Sequence, residues 1–175
     1  MKHISGYRDE NRIDEAVMAL MDRLDPDPAH ALQVEHLTGS LFSALTSLHS
    51  LDDGSRRLFG YAALLHDIGW SVCDRPHHKA SMDLILADDT LPLCTEDRIV
   101  VALIARYHRK SVPSPKNSVY RSLPRDRQYL VDWGSAILRV ADVLDRAHDS
   151  RVDEIACIIT DDQITIRCNT NGNPY

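Results

Sequence analysis

The sequence predicts a mainly α-helical single domain that closes with a small C-terminal β-hairpin. Apolar residues recur at helical spacing in successive blocks over residues 10–150, forming the expected core. Strict apolar alternation appears only in the last segment, at residues 154–168, which predicts the hairpin. No linker, repeat or low-complexity tract divides the 175 residues, so one domain over 1–175 is expected, with 169–175 as a frayed tail.

Each element has its own warrant. Ile13, Val17, Leu20 and Leu24 define a first helix over about 11–24, and Asp25-Pro26-Asp27-Pro28 stops it while setting a proline at the first turn of the next. The second helix runs through Leu32, Leu37, Leu41, Leu45 and Leu48. After Asp52-Asp53-Gly54, Ser55 caps a third helix whose interior, Leu58 to Leu65, is apolar on nearly every side. Such a helix belongs at the centre. Gly69 fits a left-handed C-terminal stop, which puts His66 and Asp67 in the last turn. Further helices are expected over about 79–87, over 95–107 with Thr95 as cap, and over about 126–149 with Leu130, Trp133, Ile137, Val140, Ala141 and Leu144 as its stripe. Ile155, Cys157 and Ile159, a turn at Asp161-Asp162, and Ile164 to Cys168 make the hairpin. The proline-containing stretch between Arg109 and Arg125 reads as a long polar loop beside the suspected site.

Composition narrows the function classes. Hydrophobic residues at 43% and charged ones at 26% describe an ordinary soluble globule with a sizeable core. A formal charge of −6 argues against general nucleic-acid binding by broad phosphate neutralisation and leaves small anionic ligands open. Cys73, Cys94, Cys157 and Cys168 form no CxxC pair and are expected to be reduced. The first seven residues contain no apolar signal core, and the longest apolar run, Ile99 to Ala105, is far shorter than the ~20 residues a membrane span needs. A cytoplasmic protein without membrane association is expected.

The chemistry concentrates at Leu64-Leu65-His66-Asp67-Ile68-Gly69. Adjacent imidazole and carboxylate suit Mn²⁺, Fe²⁺, Co²⁺, Ni²⁺ or Mg²⁺, and the lack of cysteine ligands makes structural zinc a poor fit. An isolated pair of this kind is equally a polar helix stop, but burial behind an apolar helix leaves both groups in need of partners that a metal supplies. Asp142 stands likewise in the nearly continuous apolar stretch Ile137 to Leu144. It is a ligand there, a partner of Arg139 or Arg146, or a residue on an exposed face. His36 sits between Val34 and Leu37, His77-His78 opens a helix behind Pro76, and His108 follows an apolar helix. His3, His30 and His49 have no place in this constellation.

The order His36, His66-Asp67, His78, His108, Asp142 resembles the H…HD…H…H…D pattern of the HD-domain superfamily of metal-dependent phosphohydrolases. Together with His77-His78-Lys79-Ala80-Ser81, Arg106-Tyr107-His108-Arg109-Lys110 and Ile137 to His148, it is similar to the C-terminal HD-like domain of the exopolyphosphatase / guanosine pentaphosphate phosphatase family. The resemblance covers Glu35 to His148 and implies an HD-type helical bundle around one or two divalent ions. His36, His66, Asp67 and Asp142 would be the core ligands, with His78 and His108 holding a second ion. His78 is preferred to His77 because His78-x-x-Ser81 matches the family spacing. The phosphate-binding glycine loops on which that family's main hydrolysis depends are absent from these residues, whose seven glycines are scattered.

The expected activity is hydrolysis of a small phosphoester or nucleotide by a metal-activated water, with His66 and Asp67 at the reacting centre. Lys79, Arg109, Lys110, Arg139 and Arg146 would neutralise phosphate charge. The alternative is a regulatory module that binds a nucleotide or polyphosphate without turnover. Oxidation chemistry on a di-iron site has less support, since no additional ligands for oxygen activation are evident.

Overall fold

The computed structural model describes residues 4–72 and 75–170. Helices α1 (Ile4–Leu24), α2 (Pro28–Ala44), α3 (Thr46–His49), α4 (Asp53–Leu64), α5 (His77–Ala87), α6 (Thr95–Tyr107), α7 (Ser118–Ser122) and α8 (Arg125–Leu144) precede one antiparallel hairpin, β1 (Val152–Ile159) and β2 (Ile164–Thr170). The mainly helical class with a terminal hairpin is thus the observed one. No helix among the described residues is long and apolar enough to cross a membrane. Cys94, Cys157 and Cys168 are free thiols, while Cys73 and residues 171–175 lie outside the described residues.

Helix α4 is central, as its composition demands. Phe59, Ala62 and Ala63 are fully buried, and α4 packs against α2, α6 and α8. Gly134 of α8 permits one of these contacts: a Cβ there would stand 2.4 Å from Ile104 Cδ1 and 2.9 Å from Phe59 Cε1. The caps follow helix-end chemistry, with the proline of α2 where the sequence put it and the caps of α4 and α6 displaced from Ser55 and Thr95. Asp27 accepts from the His30 amide with Pro28 behind it at the start of α2. Asp52, rather than Ser55, caps α4, its Oδ1 accepting from both the Ser55 amide at 2.8 Å and the Ser55 hydroxyl at 2.7 Å. Cys94 Sγ, rather than Thr95, receives the Asp97 amide at the start of α6.

Two boundaries differ in ways that shape the site. Helix α4 ends at Leu64, so His66 and Asp67 occupy a tight turn that leads into a 3₁₀ segment, Ile68–Ser71. Gly69 lies inside that segment, outside the left-handed region; it is required by contact rather than by φ. A Cβ at Gly69 would meet the His77 carbonyl oxygen at 2.0 Å and the Ser81 amide nitrogen at 2.5 Å. Ser81 fastens the same place, accepting from Gly69 N at 2.9 Å and donating to His66 O at 2.6 Å. Helix α8 stops at Leu144, five residues short of the expected end, and Asp145 turns the chain away. The hairpin begins at Val152 and includes Asn169 and Thr170, which the sequence suggested as tail; its inner face rests on α2, where Gln33 Nε2 donates to Val152 O at 2.6 Å.

Because the obstruction at Gly69 is backbone, which cannot rotate aside, Gly69→Ala should lower stability by about 1–3 kcal/mol. Gly54→Ala, whose nearest neighbour is a side-chain oxygen at 3.5 Å, should leave the melting temperature unchanged or slightly raised. Thermal melts of both variants check the contrast, and indistinguishable melting temperatures would refute it.

Candidate metal centre

Five elements bring the candidate ligands together. Helix α2 contributes His30 from its first turn, the turn after α4 contributes His66 and Asp67, α5 contributes His77 from its N-terminus, His108 caps the C-terminus of α6, and Asp142 comes from the last turn of α8. His30 Nε2 lies 3.5 Å and His66 Nε2 3.8 Å from the same oxygen, Asp142 Oδ1. Asp67 Oδ2 stands 3.6 Å from His66 Nε2, whereas its Oδ1 is 3.5 Å from both His77 Nε2 and His108 Nε2. The last two nitrogens are 3.4 Å apart. Asp67 therefore faces two groups of nitrogens, one with each carboxylate oxygen.

The outward ring nitrogens are already committed. His66 Nδ1 donates to Ala63 O and His108 Nδ1 to Ala105 O, each at 2.6 Å and each three residues back along the chain. His30 Nδ1 is held by the buried Asp145 carboxylate at 2.8 Å. On His66 and His108 a hydrogen on Nδ1 leaves the lone pair on Nε2, which is the arrangement that orients metal-binding imidazoles; His30 presents the same lone pair once its second proton has left. His30 Nε2, His66 Nε2 and Asp67 Oδ1 are buried without a hydrogen-bond partner. Buried polar atoms left in that condition cost on the order of 1–3 kcal/mol each. Ligand atoms of His30, His66 and Asp142 fall within 4.8 Å of one another, as do those of His66, Asp67 and His108. The donor set fits divalent ions.

Charge inside the cluster is divided unevenly. Burial works against a proton on His30, but the carboxylates of Asp142 and Asp145, one beside each ring nitrogen, prevail and raise its pKa to about 9. Burial tends to raise Asp142, yet the His30 imidazole beside it holds it down at about 2. His108 is pushed down to about 3 by burial and by His66, and burial also lowers His77. Near neutral pH the latter two are free bases, the form that binds a metal.

The structure does not bring His36 to this cluster. The buried stripe of α2 is His30, Ala31, Val34, Leu37, Thr38, Leu41 and Phe42. His36 follows Leu32 by one turn, and Leu32 is 46% exposed, so both lie on the outer face. There His36 Nε2 donates to Asp153 O at 3.0 Å and ties the hairpin to α2. His30 occupies the inner position instead. Its signal was present in the sequence: it precedes Val34 by four residues and Leu37 by seven. His77, not His78, reaches Asp67. His78 is buried nearby, held down at about 4 by burial and by the Arg106 charge.

Arg109, Lys110, Arg139 and Arg146 line a cavity of about 450 Å³ that opens onto Asp67, His108 and Asp142. Lys79 is exposed on α5 and does not line it. Arg139 is steered by two backbone carbonyls, Ser111 O at 3.0 Å and Lys110 O at 3.5 Å, and Lys110 holds the left-handed φ of 65°. Sequence reading missed three further wall residues, Trp70, Val143 and His148; the His148 ring stacks on His30 at 3.8 Å, and its Nδ1 bonds Asp27 Oδ2 at 2.7 Å. A larger cavity of about 630 Å³ lies elsewhere, along α1, α4 and α8, but its arginines are paired, Arg57 with Glu10 and Arg127 with Asp97.

A family model described as Ppx/GppA phosphatase, domain III, matches residues 13–173. That span includes every residue of the cluster and the hairpin.

The proton balance predicts how the metal-free protein responds to pH. His30, raised from 6.5 to about 9, contributes stability that is full below about 6.5 and lost as pH climbs through 9. His77, His78 and His108 are depressed, so their contribution is present above 6.5 and lost as pH falls below it. In chelator, the melting temperature should peak near pH 6.5 and fall on both sides. A steady rise from pH 6.5 to 9 would overturn the assignment of His30.

Proposed function

The chain belongs to the Ppx/GppA phosphatase domain III family, and from that premise we propose that it is a metal-dependent phosphohydrolase acting on a small phosphate ester. The observation that carries the reading is the convergence of buried, unpartnered donor atoms, His30 Nε2, His66 Nε2 and Asp67 Oδ1, under a cavity walled by cations. A module that only binds phosphate needs the cations and has no use for desolvated imidazoles beneath them.

His30, His66, Asp67 Oδ2 and Asp142 would hold one divalent ion, and Asp67 Oδ1, His77 and His108 a second. When bound, such ions would supply Lewis acidity, lowering the pKa of water so that it can lose a proton and act as nucleophile, and drawing charge from the phosphoryl oxygens. The chain's own residues do the rest. Asp145 and the carbonyls of Ala63 and Ala105 keep the three imidazoles in the tautomer that presents Nε2. Arg109, Lys110, Arg139 and Arg146 neutralise the phosphate as it enters, and Arg139, fixed by its two carbonyls, is the best oriented among them. The cavity suits a compact ester. A long polyanion needs an extended basic track, and the net charge of −6 is unfavourable to one.

His30→Ala should lose the first ion while His36→Ala retains it, and His77→Ala should lower the metal-to-protein ratio from near two toward one. Elemental analysis of the purified variants decides this; loss of metal from His36→Ala with retention in His30→Ala would overturn the ligand set.

Phosphate release from a panel of nucleotides and sugar phosphates, with Mn²⁺ and with chelator, tests the activity itself. We expect metal-dependent turnover of small esters, slow release from long-chain polyphosphate, and a fall of at least about a hundredfold in Asp67→Asn. Rapid polyphosphate degradation would refute the substrate class. Tight phosphate-ligand binding without turnover by metal-loaded protein would assign the chain to the binding module instead.

A further inference from the structure

Among the described Trp, Tyr and Phe residues Trp70 is the most exposed, at 53%, and it stands at the cavity mouth. One face is occupied: the ring lies against His77, centroids 4.2 Å apart and planes 16° from parallel. The 3₁₀ segment that carries Trp70 is fastened on both sides, Trp70 N donating to Asp67 O at 3.0 Å and Ser71 Oγ to Ile68 O at 2.7 Å. The backbone beneath the indole is thus held by the segment's own hydrogen bonds, and the ring is backed by His77 on one face. On the same cavity wall, one residue beyond Asp142, Val143 is 61% exposed. The mouth thus combines an aromatic plate and an aliphatic patch with the phosphate-neutralising cations.

Resting on the hydrolase reading for its turnover arm, we infer that Trp70 is a specificity-determining residue whose free face stacks a planar ring of the substrate, so that the site favours phosphate esters of ring-bearing alcohols, nucleoside monophosphates being the simplest, over bare sugar phosphates. The phosphate reaches Arg109, Lys110, Arg139 and Arg146 while the ring lies on the plate. Stacking on an aromatic side chain tolerates any base, because every base presents a π face. Preference should thus follow the presence of a ring more than its identity.

Adenosine 5′-monophosphate and ribose 5-phosphate test this cleanly, since they share sugar and phosphate and differ in the base. The readout is the ratio of their kcat/KM values. Trp70→Leu should lower that ratio by about tenfold, mainly through KM for the nucleotide, and Trp70→Tyr should restore most of it. An unchanged ratio in Trp70→Leu would overturn the proposal, because a residue that merely supports His77 would depress both esters alike. A second measurement does not depend on turnover. Trp70 and Trp133 are the two tryptophans, so in a Trp133→Phe background the fluorescence reports on Trp70 alone. Adenosine 5′-monophosphate should quench it at concentrations where ribose 5-phosphate does not. Equal or absent quenching overturns the plate; selective quenching without turnover of either ester leaves the plate standing and sinks the hydrolase.

Discussion

The two oxygens of Asp67 approach different imidazoles, and this one carboxylate ties together the elements that carry them. Oδ2 looks toward His66, and Oδ1 toward His77 and His108, at 3.5–3.6 Å in each case. A carboxylate in a largely dry interior needs a donor or a positive charge, and Oδ1 has no hydrogen-bond partner among the described residues, a need that the proposed ions would meet. In this chain the surroundings are imidazoles from α5 and α6 and from its own turn, themselves drawn in by the burial of α4. The apolar core and the polar cluster are therefore one structure: shifting α4 along its axis would break both.

The framework holds the turn by small contacts of high precision. Gly69 has no side chain because the backbone of α5 passes where a Cβ would be, and Ser81 stitches α5 to the carbonyl of His66 and the amide of Gly69. The outer hydrogen bonds of His66 and His108 go to carbonyls three residues earlier, so each helix end orients its own histidine. His30 instead relies on Asp145, which is available because α8 ends at Leu144 and the chain folds back over the site. Left-handed residues gather around the cavity, with Lys110 at φ 65° and His148 at φ 55°. Backbone strain of this sort is retained where the surrounding structure holds a functional group in position.

The residues found from sequence and those missed differ by a helical phase. His66, Asp67 and Asp142 stood out because each interrupts a segment apolar on nearly every side, where no choice of face is needed. Helix α2 is two-sided, and there the leucine series beginning at Leu32 did not fix the inner face, while His36 was expected as a ligand from the family resemblance. The buried stripe begins instead at His30 and Ala31, so Leu32 and His36 share the outer face. A shift of two residues is about 200° around a helix, enough to exchange inside for outside. At His77-His78 the two residues differ by about 100°, and the spacing to Ser81 drew attention to the wrong one: Ser81 serves the turn, leaving His77 to reach Asp67.

Local chemistry by itself determined the helix blocks, the turn prolines, the terminal hairpin and the identity of the HD pair, because periodicity and burial are properties of short segments. Tertiary structure alone decided which histidines face one another, that Asp67 is shared, and that Arg139 and Trp70 wall the same cavity. Those relations join residues as far apart as His30 and Asp145, 115 positions along the chain. Their distances are set by how α2, α4, α6 and α8 pack, and no periodic pattern within one segment encodes the angle at which it meets another.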